Sequence, residues 1–288
     1  MLLFSLVLNG IVLGSILMLV SLGLTLIYGV GRVVNFAHGA LYSAGAVIGV
    51  IAFQSGMTFW IALLVVPIAV GAIGVVIDVL LLSRIRNRPM IDGLLLTFGL
   101  ALLVTGVLYE TGGRNIRSLA PPASLSGSVD ILGAVLPSYR LFLCALAVVL
   151  AGSLLVILST TAWGVRVRAA NDDAEMASIL GIDREILMHG VVAIGAALAG
   201  FAGVAAAPVF TAYATVGDKM LILAFLTVVL GGLGSFRGAI VAAYAVGMVV
   251  VLGEGYIGGQ AAMATLFALV MLFLIRFPRG FFGEGRVE

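Results

Sequence analysis

Apolar positions in this chain come in long unbroken blocks rather than alternating with polar ones. Met1 to Gly31, Val33 to Ile77, Leu141 to Val165, Ile186 to Gly217 and Gly255 to Ile275 each pass without one Asp, Glu, Lys or Arg. A hydrocarbon core about 30 Å thick is crossed by roughly 20 residues of helix, so these blocks predict membrane spans. Helices are expected near Leu2 to Tyr28, Phe36 to Phe53, Phe59 to Ser83, Asp92 to Tyr109, Leu141 to Thr160 and His189 to Ala212. Three more follow at Met220 to Gly234, Ala239 to Gly253 and Ala261 to Ile275. The first two of these are short for full crossings and are read as re-entrant or strongly tilted. The fold class is therefore an all-α polytopic membrane protein with about eight to nine transmembrane or re-entrant helices.

Composition agrees. Of 288 residues, 62% are hydrophobic and 10% charged, against roughly half and a quarter in soluble domains. The polar stretches about 111–139 and 161–188 leave no room for an ATPase, kinase or receptor head, so 1–288 is read as a single transmembrane domain. Net charge is +2 and Lys219 is the one lysine among fifteen basic residues; no tract would hold nucleic acid. Cys144, alone in an apolar run, can form neither an intrachain disulfide nor a cysteine metal site and is read as a packing residue. The opening MLLFSLVLNG lacks a positive n-region and a cleavage site, so it is expected to be a retained span.

Cytoplasmic loops carry the Lys/Arg excess. The groups Arg84, Arg86 and Arg88; Arg166, Arg168 and Arg184; and Arg276, Arg279 and Arg286 all fall inside if the N-terminus is outside and the C-terminus cytoplasmic. The stretch 111–139, with Pro121, Pro122 and Pro137, is then an external loop.

The 38 glycines must lie mostly within helices, where small residues let backbones approach. Gly10 with Gly14, Gly45 with Gly49, and the file Gly195, Ala199, Gly203, Ala207 each share one helix face. The stretch from Leu24, LTLIYGVGRVVNFAHGALYSAGAV, echoes LTVVLGGLGSFRGAIVAAYAVGMV from Leu226, a pointer to an internal repeat and to the pathway of a transporter.

Polar groups within apolar runs mark candidate chemistry. In the first cluster, Gly29 and Gly31 are expected to let the helix unwind, exposing Arg32, Asn35, Phe36, His38, Gly39 and Tyr42; unwound backbone at membrane depth is tolerated only where protein or a cavity receives it. The alternative is a plain cytoplasmic hairpin with His38 bonded to a carbonyl. In the second cluster, Asn171 or Asp172 is expected to cap a short helix of about two to three turns, ended by Gly181. Met176, Ile179 and Leu180 give this helix an apolar side. The pattern Glu175-x-Ala177-x-x-x-Gly181 matches the loop by which importer permeases dock into their ATPase; a solvated linker is the alternative.

These residues resemble the branched-chain amino acid ABC transporter permeases, specifically the first of their two paralogous permease subunits. The likeness runs over nearly the whole chain: Asn35-Phe36-Ala37-His38-Gly39; Arg168-Ala169-Ala170-Asn171-Asp172 through Leu180-Gly181-Ile182; the turn Gly231-Gly232-Leu233-Gly234; and the ending Phe277-Pro278-Arg279-Gly280-Phe281-Phe282-Gly283. It implies an importer permease of the bacterial inner membrane, working with a second, paralogous permease, two ATP-binding subunits and a periplasmic substrate-binding protein. It also implies a hydrophobic amino acid as cargo. Many members carry an acidic residue after the His-Gly pair where this chain has Ala40, so urea, an amide or an aromatic carboxylate stands as an alternative solute.

No catalytic or metal-binding set competes, no cofactor is implied, and no phosphate loop is present, so ATP hydrolysis is expected on other subunits. Asp78, shortly before Arg84, and Glu110, before Arg114, read as interfacial groups with basic neighbours. Glu254 is read as an outer gate residue or a loop carboxylate. The runner-up function is a proton-coupled secondary transporter using His38 or Glu254.

Overall fold

The computed structural model describes residues 2–86, 88–131 and 133–282; Gly283 and Arg286, named above, lie outside them. Among the described residues the chain is built from α1 (Leu2–Gly31), α2 (Ala37–Gln54), α3 (Phe59–Ile85), α4 (Met90–Gly113), α5 (Ser138–Thr160), α6 (Ala162–Asp172), α7 (Ala174–Ile179), α8 (Arg184–Ala206), α9 (Val216–Gly231), α10 (Phe236–Ile257) and α11 (Gly259–Arg276). Eight of these are long and apolar enough to cross a membrane. Hydrocarbon offers no partner to backbone N–H and C=O groups, so the chain pairs them within helices.

α9 is the exception in length, with 16 residues. The segment 207–215, a run of turns around one bridge, leads into it: Ala212 bridges to Arg117 on the loop after α4, and the Ala214 amide donates to the Gly113 carbonyl at the end of α4. The expected short span is therefore a short helix preceded by turns, whereas α10, also expected to be short, has 22 residues and is long enough to cross. The loop after α4 is more ordered than its prolines suggest, carrying a two-stranded hairpin of β1 (Ser128–Ile131) and β2 (Ala134–Pro137). The opposite face carries α6 and α7. There, the starts of α6, α7, α8 and α10 are capped by the side chains of Thr161, Asp173, Asp183 and Ser235, as water-facing N-termini commonly are.

Packing follows the glycines. α8 lies in the middle, against α1, α2 and α3, while α10 runs along α1. A methyl group on Gly203 would strike the Tyr42 carbonyl, one on Gly45 the Gly200 backbone, and one on Gly247 the backbone at Gly10 and Gly14. The files Gly10/Gly14, Gly45/Gly49 and Gly195/Ala199/Gly203/Ala207 are thus helix-packing surfaces, where dispersion contact replaces a hydrophobic drive that lipid cannot supply.

Among the described residues Asp78 is the one fully buried charge. It opens a π-helical turn, Asp78–Leu82. The extra residue in that turn makes eight residues span about two turns and brings Arg86 over Asp78. Arg86 donates to Oδ1 at 2.7 Å and His189 Nδ1 of α8 donates to Oδ2 at 2.6 Å. Asp78 is consequently a core tie between α3 and α8 rather than the interfacial partner of Arg84, which turns outward and bonds the Leu80 carbonyl. Glu110 pairs with Arg114 at 2.9 Å on the surface, as the spacing implied.

Two outcomes follow for stability. Gly203→Val should cost about 2 kcal/mol through overpacking, seen as a lower unfolding midpoint in detergent, while Gly99→Val, with open space around its Cα, should leave the midpoint unchanged. Asp78→Ala should cost about 3 kcal/mol because it strands the Arg86 charge in the core, measured by the same unfolding.

Candidate functional site

The break between α1 and α2 is not where the glycines suggested. Gly29 and Gly31 remain helical, and the chain leaves the helix at Arg32, the single non-glycine residue with positive φ (51°) among the described residues. The two glycines serve close approach instead: the Asn171 side chain lies where a Gly29 side chain would be, and the Met188 methyl where one on Gly31 would be. The Arg32 amide makes the last bond of α1, to the Tyr28 carbonyl at 2.7 Å, and residues 33–36 then climb beside α1. His38 Nε2–H donates to the Val20 carbonyl at 3.0 Å, which places the start of α2 about 17 Å from the α1 terminus at 1.5 Å per residue. α2 therefore begins deep inside the bilayer.

A helix that starts in hydrocarbon exposes amides with no water to accept them. Asn35 Oδ1 accepts from the Ala37 amide at 3.1 Å, and Asn35 C=O from the His38 amide at 3.2 Å. α9 starts beside it in the same condition, and its Gly217 amide donates to Ser43 Oγ of α2 at 2.8 Å. The two interior starts touch at Gly39 and Gly217, whose backbones leave no room for a side chain on either.

Of the residues expected along a path, Asn35 is buried and lines a cavity of about 30 Å³ with Ile27, Thr97 and Met188. His38 and Tyr42 are fully enclosed, and His38 Nδ1 has no partner. Phe36 alone reaches the surface, edge-on to Phe98 with ring centroids 6.3 Å apart. Together these residues form a joint between α1, α2 and α9 more than a lumen.

The second break behaves as the glycines imply. α9 ends at Gly231, and Gly232 (φ 100°) and Gly234 (φ 87°) take left-handed conformations open to glycine. The C-terminal segment folds onto it: the Phe281 amide donates to the Leu230 carbonyl at 2.7 Å and the Phe282 amide to Gly231 at 3.1 Å. Two motifs far apart in sequence thus form one turn.

The short helix on this face is α7, six residues long and shorter than expected. Its cap is Asp173, whose Oδ1 accepts from the Glu175 and Met176 amides at 3.0 Å each. Asn171 and Asp172 instead close α6, because the chain turns extended at Asp173 and only that side chain can reach back over the new helix. Gly181, at φ 84°, ends the element as predicted. Ala177 faces inward, Glu175 is exposed, and Met176, Ile179 and Leu180 are 52%, 72% and 73% exposed.

Asn171 joins these parts. Its side chain occupies the space over Gly29 in α1 and also that over Gly234 in the α9–α10 turn, so one amide is wedged against both helix breaks. Arg184, at the start of α8, donates to the Val30 carbonyl at 3.4 Å and adds a second link from the α6–α8 region to the α1 terminus. Sequence reasoning placed Asn171 as a cap and had no signal for the roles of Arg184, Met188 or the Asp78–His189 tie, all of which depend on pairing between distant helices. Glu254 lies within α10 rather than a loop and pairs with Lys219 at 3.0 Å.

Comparison with known proteins agrees with this architecture. The chain is 27% identical to the high-affinity branched-chain amino acid transport system permease protein LivH of Salmonella typhimurium, over 97% of this chain and 95% of that protein. It is 26% identical to the high-affinity permease protein BraD of Pseudomonas aeruginosa, with the same coverage, and 24% identical to a probable LivH of Methanocaldococcus jannaschii over 83% of this chain and 78% of that one. No solved structure matches. The family model for the branched-chain amino acid transport system permease component matches residues 6–276, and the chain belongs to that family.

Proposed function

We propose that this chain is the transmembrane permease subunit of an ATP-binding-cassette importer of the bacterial inner membrane, carrying branched-chain or related hydrophobic amino acids. It works with a second, paralogous permease, two ATP-binding subunits and a periplasmic binding protein. The observation that carries this reading is the wedge of Asn171 between Gly29 and Gly234, directly behind an exposed short helix with an uncovered apolar side. The N-terminus lies outside and the C-terminus in the cytoplasm, an orientation supported by the arginines gathered on the α6–α7 face.

In this mechanism the ATP-binding subunits grip α7 through Glu175, Met176, Ala177, Ile179 and Leu180. Gly181 lets the chain turn sharply out of the docked helix. Closure of the ATPase pair displaces α7 and, through Asn171, shifts the ends of α1 and α9 together. A protein can be driven between two states only by interactions that differ between them; here the differing contact is the position of one amide against two breaks. The joint at Asn35, His38, Gly39 and Tyr42 carries that shift to mid-membrane depth, where Phe36 faces the path. The turn at Gly231, Gly232 and Gly234 is the second hinge, and Glu254 stands at its outer end of the route.

Two experiments test the coupling. In the assembled transporter reconstituted with binding protein and ATP, Met176→Asp with Ile179→Asp should abolish co-purification of the ATP-binding subunits and reduce leucine uptake at least tenfold at equal membrane insertion; unchanged uptake, or uptake persisting without ATP, overturns the reading. Asn171→Ala should retain the ATP-binding subunits yet lower uptake about tenfold, and a variant with both assembly and uptake intact removes Asn171 from the transmission path.

A further inference from the structure

Lys219, the single lysine in the chain, stands in the first turn of α9. That turn is held at membrane depth, because Gly217 abuts Gly39 and its amide binds Ser43, and α2 continues from Ser43 about 17 Å further before ending at Gln54. Lys219 reaches outward from there to Glu254 of α10, Nζ to Oε1 3.0 Å, and both side chains stay open, 51% and 39% exposed. Asp218 beside it is exposed as well. A lysine rooted at this depth does not face lipid; it faces protein or a water-filled cavity, and it reaches Glu254 near the outer end of α10. This side of α9 and α10 is therefore turned toward the space between the chain and its neighbour in the membrane.

We propose that Lys219 and Glu254 receive the two charged ends of a zwitterionic amino acid as it passes, Lys219 taking the carboxylate and Glu254 the ammonium. The inference rests on the import function proposed above and names the groups that contact its cargo. With no solute present the two side chains neutralise each other. With the solute between them each exchanges one ion pair for another, so neither state leaves an unpaired charge out of water, the condition that makes buried charges costly. Ile222, one turn along α9 from Lys219 and exposed on the same side, supplies apolar surface for an aliphatic side chain. An exchange of near-equal pairs gives weak, transient holding, which suits passage.

The test uses the complete transporter in proteoliposomes with its binding protein, ATP and radiolabelled L-leucine. Lys219→Met and Glu254→Gln should each lower leucine uptake at least tenfold and raise the ATP hydrolysed per leucine moved by a similar factor, and the charge exchange Lys219→Glu with Glu254→Lys should recover a large part of the loss. Uptake at the wild-type level in both single variants would overturn the proposal, showing a surface ion pair only. So would uptake and ATP hydrolysis falling in proportion, which is the signature of a structural tie. Failure of the wild-type complex to move leucine with ATP would instead count against the import function itself, whatever the variants do.

Discussion

The rest of the structure depends on one constraint: a helix that begins inside hydrocarbon must find acceptors for its first amides. α2 and α9 both begin there. Asn35 serves the first from its own chain segment and Ser43, on α2, serves the second, so the start of α9 depends on α2 being in place. The contact of Gly39 with Gly217 is the steric side of the same arrangement. Remove the short polar side chains and the interior breaks lose their partners; enlarge the glycines and the helices cannot come close enough to share them. The surrounding crossings, α1, α3 and α8, pack through glycine and alanine around this point and hold it in place.

From that joint two routes lead to the face bearing α7. One descends α1 to Gly29 and the other descends α9 to Gly234, and both arrive at Asn171. The tie of Asp78 to Arg86 and His189 holds α3 against α8 alongside. The wedge is a small feature, yet it puts one side chain in contact with both breaks. The likeness between the stretches from Leu24 and Leu226 acquires a physical sense here, since each forms a helix, a break on the α7 face and a second helix.

Much of this was legible in the sequence, and the reasons differ by element. Spans are set by long apolar blocks, so α1, α2, α3, α5 and α8 stand close to where hydropathy put them. α9 is as short as expected, whereas α10 was misjudged, because its helix continues through Glu254 and Gly255 to Ile257, past the point where its apolar run ends. The Asn35 to Tyr42 motif signalled an interior break correctly but not its mechanics. Glycine is conformationally free, which pointed to Gly29 and Gly31 as the unwound residues, whereas their use is the absence of a side chain and the strained residue is Arg32. The cap of α7 moved from Asn171 or Asp172 to Asp173 for a similar reason: neighbouring polar residues are equivalent in sequence and are separated only by where the backbone turns extended.

The apolar side of α7 also bears on how the protein is made. Met176, Ile179 and Leu180 stand uncovered on and just after α7, which is not among the eight apolar spans. Such a patch, in contact with water, attracts any hydrophobic surface until its proper partner covers it. A copy inserted without that partner carries a visible mark of incompleteness, open to aggregation and to the proteases that survey the membrane surface. The same three side chains proposed to dock a partner would therefore also expose a subunit that lacks one to removal.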